Sequence, residues 1–184
     1  MQRRSAIKLI STGLIADRSE LLKGQLFQIA SSPASYKLQF FTAAENELLA
    51  TLTEIVIPAD SHSGGAKEAN VSLFIDLMVS FSDPAVKDQW RRGLASFDAE
   101  AQRRFNMPFL KIDPARQVEI MSFAARNETS SGPANELDLF FRTLKLMTLN
   151  GYYTSATGIH RDLQYKGNTA LPNYYGCTHP EHQA

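Results

Sequence analysis

The sequence is short of several things, and each shortage removes a class of function. It has a single cysteine, Cys177, so neither an internal disulfide nor an all-cysteine metal site can form. It has no charge excess, because 19 Lys plus Arg stand against 19 Asp plus Glu. A nucleic-acid-binding domain normally carries a basic surplus, so nucleic acid is not an expected partner. No stretch approaches the ~20 apolar residues needed to span a bilayer, and no membrane span is expected. Sustained period-two alternation with β-branched enrichment is absent. Gly64-Gly65 lacks the Lys-Ser/Thr of a phosphate loop and no strand precedes it. There is no dinucleotide fingerprint, and no serine sits in a nucleophile-elbow context. Neither a nucleotide cofactor nor hydrolysis is expected of this chain.

What is present describes a globular helical protein. The 184 residues are 43% hydrophobic and 21% charged, enough for one domain with a real core. Zero net charge leaves little repulsion between this chain and other proteins, which favours a subunit over a free monomer. At the start, Arg3-Arg4 stand ahead of a modest apolar run from Ala6 to Ala16, interrupted by Lys8 and Thr12. Two readings stay open there: a twin-arginine-like export signal, or an amphipathic first helix striped by Ile7, Ile10, Leu14 and Leu21. Residues 24–41 mix Ser, Gln, Gly and Pro33 and read as a connector. The division expected is therefore 1–41 as an N-terminal segment and 42–184 as one helical domain.

Thr42-Ala43-Ala44-Glu45 fits a capping box, and Leu48, Leu49, Leu52, Ile55 and Val56 follow on one helical face. Pro58 should end that helix near Val56. A second helix is expected around Val71, Phe74, Ile75, Met78 and Val79. Asp83-Pro84 and Asp113-Pro114 are start signals. The first opens a helix with Val86, Trp90, Leu94, Phe97 and Phe105 inward and Arg91, Arg92, Arg103 and Arg104 solvated. The other opens one with Val118, Met121 and Ala125, widened by Ile120 and Phe123. A fifth helix shows Leu137, Phe140, Phe141, Leu144, Met147 and Thr148, with Gly151 placed as a left-handed cap. The expectation is an all-α fold, a bundle of about five helices with a long irregular C-terminal tail over 151–184.

That tail holds five of the six tyrosines: Tyr152, Tyr153, Tyr165, Tyr174 and Tyr175. Linkers are poor in aromatics, so the tail reads as a surface that packs on something. Cys177, His179 and His182 are ligand types suited to zinc or copper, and with His160 they form the alternative, a small metal-binding protein or enzyme. Their spacing matches no structural zinc pattern, and the other reading is a solvated chain end. Asp60 and His62 could pair as acid and base, although such a loop more often caps its own backbone. Glu45 and Glu47 are explained by the dipole of the first helical turn.

Four stretches, in order, carry a resemblance to a family. They are Phe41-Thr42-Ala43-Ala44-Glu45 leading to Ile55-Val56-Ile57-Pro58-Ala59-Asp60, then Gly65 to Val71 with Phe74-Ile75-Asp76. Arg92-Gly93-Leu94 onward to Phe105 and Pro108-Phe109 is the third. Leu149-Asn150-Gly151-Tyr152-Tyr153-Thr154-Ser155 with Tyr175-Gly176-Cys177 closes the set. Over about residues 40 to 178 the chain resembles the small subunit, subunit 3, of gluconate 2-dehydrogenase and related flavin-dependent sugar dehydrogenases. The resemblance implies a non-catalytic subunit with no cofactor of its own. Its partner would be a large FAD-dependent flavoprotein of the glucose–methanol–choline type, with a cytochrome c subunit carrying haem c as electron acceptor. It implies export through Arg3 and Arg4 with the folded flavoprotein, hence a periplasmic location, the cytoplasm being the alternative. Tyr152, Tyr153, Tyr165, Tyr174 and Tyr175 would anchor the partner, and Cys177 would be placed for an intersubunit disulfide. A maturation chaperone that leaves the complex is the third reading.

Overall fold

A computed structural model describes residues 19–126, 135–165 and 167. Among them there are six α-helical segments and no strand. Residues 19–31 form α1, followed by Ala43–Val56 (α2), Val71–Ser80 (α3), Pro84–Phe105 (α4), Pro114–Ala125 (α5) and Glu136–Tyr153 (α6). Short 3-10 turns occupy Pro33–Ser35 and Phe109–Lys111, and Thr157–Asp162 winds as a π-helix.

The local signals act as the sequence suggests. Thr42 Oγ1 accepts from the Glu45 N–H at 3.2 Å, and the Glu45 carboxylate accepts from the Thr42 N–H at 2.8 Å. This closes the capping box, and α2 stops at Val56, two residues before Pro58. Pro84 and Pro114 each take the first turn of their helices, where a missing N–H costs nothing. Asp113 caps through its side chain to the Arg116 N–H, whereas Asp83 makes no side-chain cap bond. α4 ends on Asn106 at φ 54°, a left-handed position that asparagine tolerates.

α6 is the central helix and packs on α2, α3, α4 and α5. Asp138 apart, its buried positions, Leu137, Phe140, Phe141, Leu144, Thr148, Gly151 and Tyr152, follow steps of three and four, which place them on one face. α4 approaches it closely at Gly93, where an added Cβ would sit 2.1 Å from the Phe140 ring. Trp90 meets Phe140 edge-on at 5.2 Å, and Phe97 meets Phe109 at 5.8 Å, within the favoured range for aromatic pairs.

Four expectations need correction. The segment 24–41 is not wholly a connector: α1 continues to residue 31, because Leu22, Leu26 and Ile29 recur at helical spacing and turn inward. Gly151 is not a cap, since α6 runs through it to Tyr153 and packs it against Val71 and Phe74 of α3. The start of the tail is therefore not irregular, being helical to Tyr153 and then π-helical over Thr157–Asp162. Val86 and Val118 are exposed, because each lies on the outer edge of its stripe, while Ile120, Met121 and Ala124 are the buried residues of α5.

Candidate partner interface

At one end of the bundle, the loop between α2 and α3 meets the π-helical turn that follows α6. The loop is shaped by carboxylates that accept backbone N–H groups. Glu54 accepts from Ala59 at 3.1 Å and from Lys67 at 2.7 Å. Asp60 Oδ1 accepts from His62 at 2.7 Å and Ser63 at 2.8 Å, the self-capping arrangement that suits Asp in a turn. These backbone N–H groups, Ser63 first and then His62, hold the Asp60 carboxyl below its ordinary value. Asp60 Oδ1 is thus engaged by its own loop, and the His62 ring bonds elsewhere, to the Asp162 carbonyl at 3.1 Å. The two do not form an acid–base pair.

Across the junction, Tyr152 and Tyr153 divide the work. Tyr152 is 2% exposed, and its hydroxyl donates to the Gly64 carbonyl at 2.7 Å. With that hydrogen committed, the Ser63 hydroxyl, 2.8 Å away, donates to the Tyr152 oxygen. A buried phenol with both roles satisfied is a core tie. Tyr152 is therefore corrected from partner anchor to core residue: its ring has no surface to offer. Tyr153 packs edge-on against it at 5.1 Å and is 39% exposed. Partial burial, then the hydrogen bond to Asp162, raises the Tyr153 hydroxyl above the usual phenol value.

The π-helical turn holds this arrangement against the end of α6. The Leu163 N–H bonds to the Gly158 carbonyl at 2.9 Å, five residues back, and π-turns of this kind are frequent at functional sites. Gly158 is required there, because an added Cβ would lie 2.2 Å from the Tyr152 carbonyl oxygen. Arg161 pairs with Glu68, joining turn to loop a second time. Around this junction Tyr153, Leu163, Tyr165 and His160 are exposed, as is the Arg161–Glu68 pair. Aromatic and apolar side chains rimmed by charges are the composition of a protein-binding patch.

Of the residues singled out from sequence, Tyr153 and Tyr165 lie together in this region, and His160 is exposed on the same turn. Tyr174, Tyr175, Cys177, His179, His182, Arg3 and Arg4 lie outside the described residues. Among the described residues no group of three or more His, Cys, Asp or Glu side chains is placed to hold a metal, and no helix is long and apolar enough to cross a membrane.

Sequence reasoning passed over Asp76, which lies 0% exposed in the middle of α3. The signal was available: it is the one charge in Val71–Ser80, and a buried charge must have partners.

Compared with known families, the chain matches the model described as gluconate 2-dehydrogenase subunit 3 over residues 43–169. The search of curated proteins and the search of solved structures each found no match.

Proposed function

The chain belongs to the gluconate 2-dehydrogenase subunit 3 family, and from that premise we propose that it is the non-catalytic small subunit of a flavin-dependent sugar or sugar-acid dehydrogenase. The observation that carries this reading is the extent of the match: residues 43–169 take in α2 to α6 and the π-helical turn. In this reading the catalytic chain is a large FAD-containing flavoprotein of the glucose–methanol–choline type, and haem c on a third chain takes the electrons. The small subunit binds and stabilises the flavoprotein and holds no cofactor itself.

Two features support more specific steps. Arg3-Arg4 support a twin-arginine route that carries the folded flavoprotein to the periplasm. The exposed Tyr153, Leu163 and Tyr165 support contact through the carboxy-terminal end of α6. Tyr174, Tyr175 and Cys177 extend that contact along the chain, with Cys177 available for an intersubunit disulfide in an oxidising compartment.

Affinity purification of the tagged full-length chain from its native host tests the assignment. Co-elution at a fixed ratio with a larger flavin-containing chain, identified by mass and visible absorbance, is the expected result. Elution alone as a monomer contradicts it.

A further inference from the structure

α3 carries a single carboxylate, and that carboxylate is shut away from water. Burying a charge is costly unless hydrogen bonds replace its hydration. At Asp76 four donors do so, and all four come from residues 36–41. Oδ2 accepts from the Tyr36 hydroxyl at 2.9 Å and the Gln39 N–H at 2.7 Å. Oδ1 accepts from the Phe40 N–H at 3.0 Å and the Phe41 N–H at 2.8 Å. Three successive backbone N–H groups and a phenol thus converge on one side chain some 35 to 40 residues further along.

What lies ahead of this catch is held much more lightly. Among residues 19–31 only Ile29 is buried, while Leu21 is 54% and Phe27 73% exposed. Beyond Ile29 and the half-buried Leu22 and Leu26, the apolar part of the attachment is short: Phe41, edge-on to Trp90 at 6.1 Å, and Phe40 beneath the Arg91 guanidinium at 4.6 Å. Segments with few buried apolar contacts open at lower free energy than the core they join.

We propose that residues 19–41 are a strap that opens from the intact helical body as one unit, with the Asp76 carboxylate as its catch. The body keeps its own closure, because the capping box at Thr42 starts α2 without help from the strap. Opening uncovers Asp76 and the edge of Trp90, so an element or partner that captures the strap also changes the amino-terminal face of the body. The strap lies ahead of the family-matched residues, whereas its catch lies within them.

The discriminating variant is Asp76→Asn. A carboxamide keeps one acceptor oxygen and puts an NH2 group where the other was, so the donors on that side face a donor. The Tyr36 hydroxyl can rotate to accept, but the Gln39 N–H cannot, nor can those of Phe40 and Phe41. Native-state hydrogen exchange on the full-length chain reads the outcome. In the unaltered protein the N–H groups of 19–31 and of Gln39, Phe40 and Phe41 should exchange through one shared opening, faster than Leu49 and Leu144 in the core. In Asp76→Asn those strap groups should speed up by about tenfold or more, with the core rates unchanged. Tyr36→Phe should give a smaller acceleration of the same groups. If strap and core exchange at one common rate in the unaltered protein, or if Tyr36→Phe and Asp76→Asn leave the strap rates as they were, the strap does not exist. Failure of Asp76→Asn to fold leaves the unaltered protein and Tyr36→Phe to decide.

Discussion

The two ends of the described chain are tied to the helical body by opposite means. At the amino-terminal end one buried carboxylate on α3 collects four donors from residues 36–41. At the carboxy-terminal end the buried tie is a neutral phenol, Tyr152, bonded to Ser63 and Gly64. Around it lie exposed contacts, Arg161 with Glu68 and His62 with the Asp162 carbonyl. Water competes for the exposed contacts and not for the buried ones. Buried residues that hold the fold thus stand beside residues whose side chains reach the surface. Tyr152 and Tyr153, adjacent in sequence, fall on opposite sides of that line.

Substitutions along this line should grade accordingly. Tyr152→Ala removes a buried ring and its hydroxyl tie, and should lower unfolding free energy by about 3–5 kcal/mol, read by denaturant titration. Alanine at both Tyr153 and Tyr165 should leave stability within about 1 kcal/mol. The same pair should weaken partner binding by about 2 kcal/mol or more, measured by titration calorimetry. Equal losses of stability from Tyr152→Ala and the Tyr153/Tyr165 pair would erase the distinction between core tie and exposed surface.

Tyr36→Phe should cost about 1–2 kcal/mol of strap closure. The same variant has a pH signature. Burial, with the Asp76 hydrogen bond and carboxylate next, raises the Tyr36 hydroxyl well above its ordinary value, whereas in the unfolded chain it ionises near pH ~10. Its contribution is complete below that pH and is lost as pH rises beyond it, because only the unfolded chain gives up the proton. The unaltered protein should therefore lose more stability on alkaline titration than Tyr36→Phe does. Arg161→Ala should have the smallest effect, about 0.5 kcal/mol or less on thermal unfolding, because both partners are more than half exposed.

Most of the body was legible in the sequence because its signals are local. The Thr42 capping box, Pro58, Asp83-Pro84 and Asp113-Pro114 each set a helix boundary without reference to distant residues. What escaped depends on contacts far along the chain. Gly151 reads as a helix end until Val71 and Phe74 are seen packed on it. Tyr152 reads as one of a run of surface tyrosines until Gly64, 88 residues away, takes its hydroxyl. Asp76 is the one charge in α3, but its partners show only once residues 36–41 are seen around it. The π-helical turn has no sequence pattern of its own, but Gly158 is its requirement in hindsight. The exposed tyrosines Tyr153 and Tyr165 were legible as types, whereas their grouping with Leu163 needed the turn.

The most direct test is hydrogen exchange of this chain alone and in the complex recovered with its partner. Slowed exchange over residues 153–165 on binding, with Gln39 to Phe41 and the interior of α6 unchanged, is the expected result. Unchanged exchange at 153–165, with protection appearing on another face, would contradict the assignment of this end of the bundle as the partner surface.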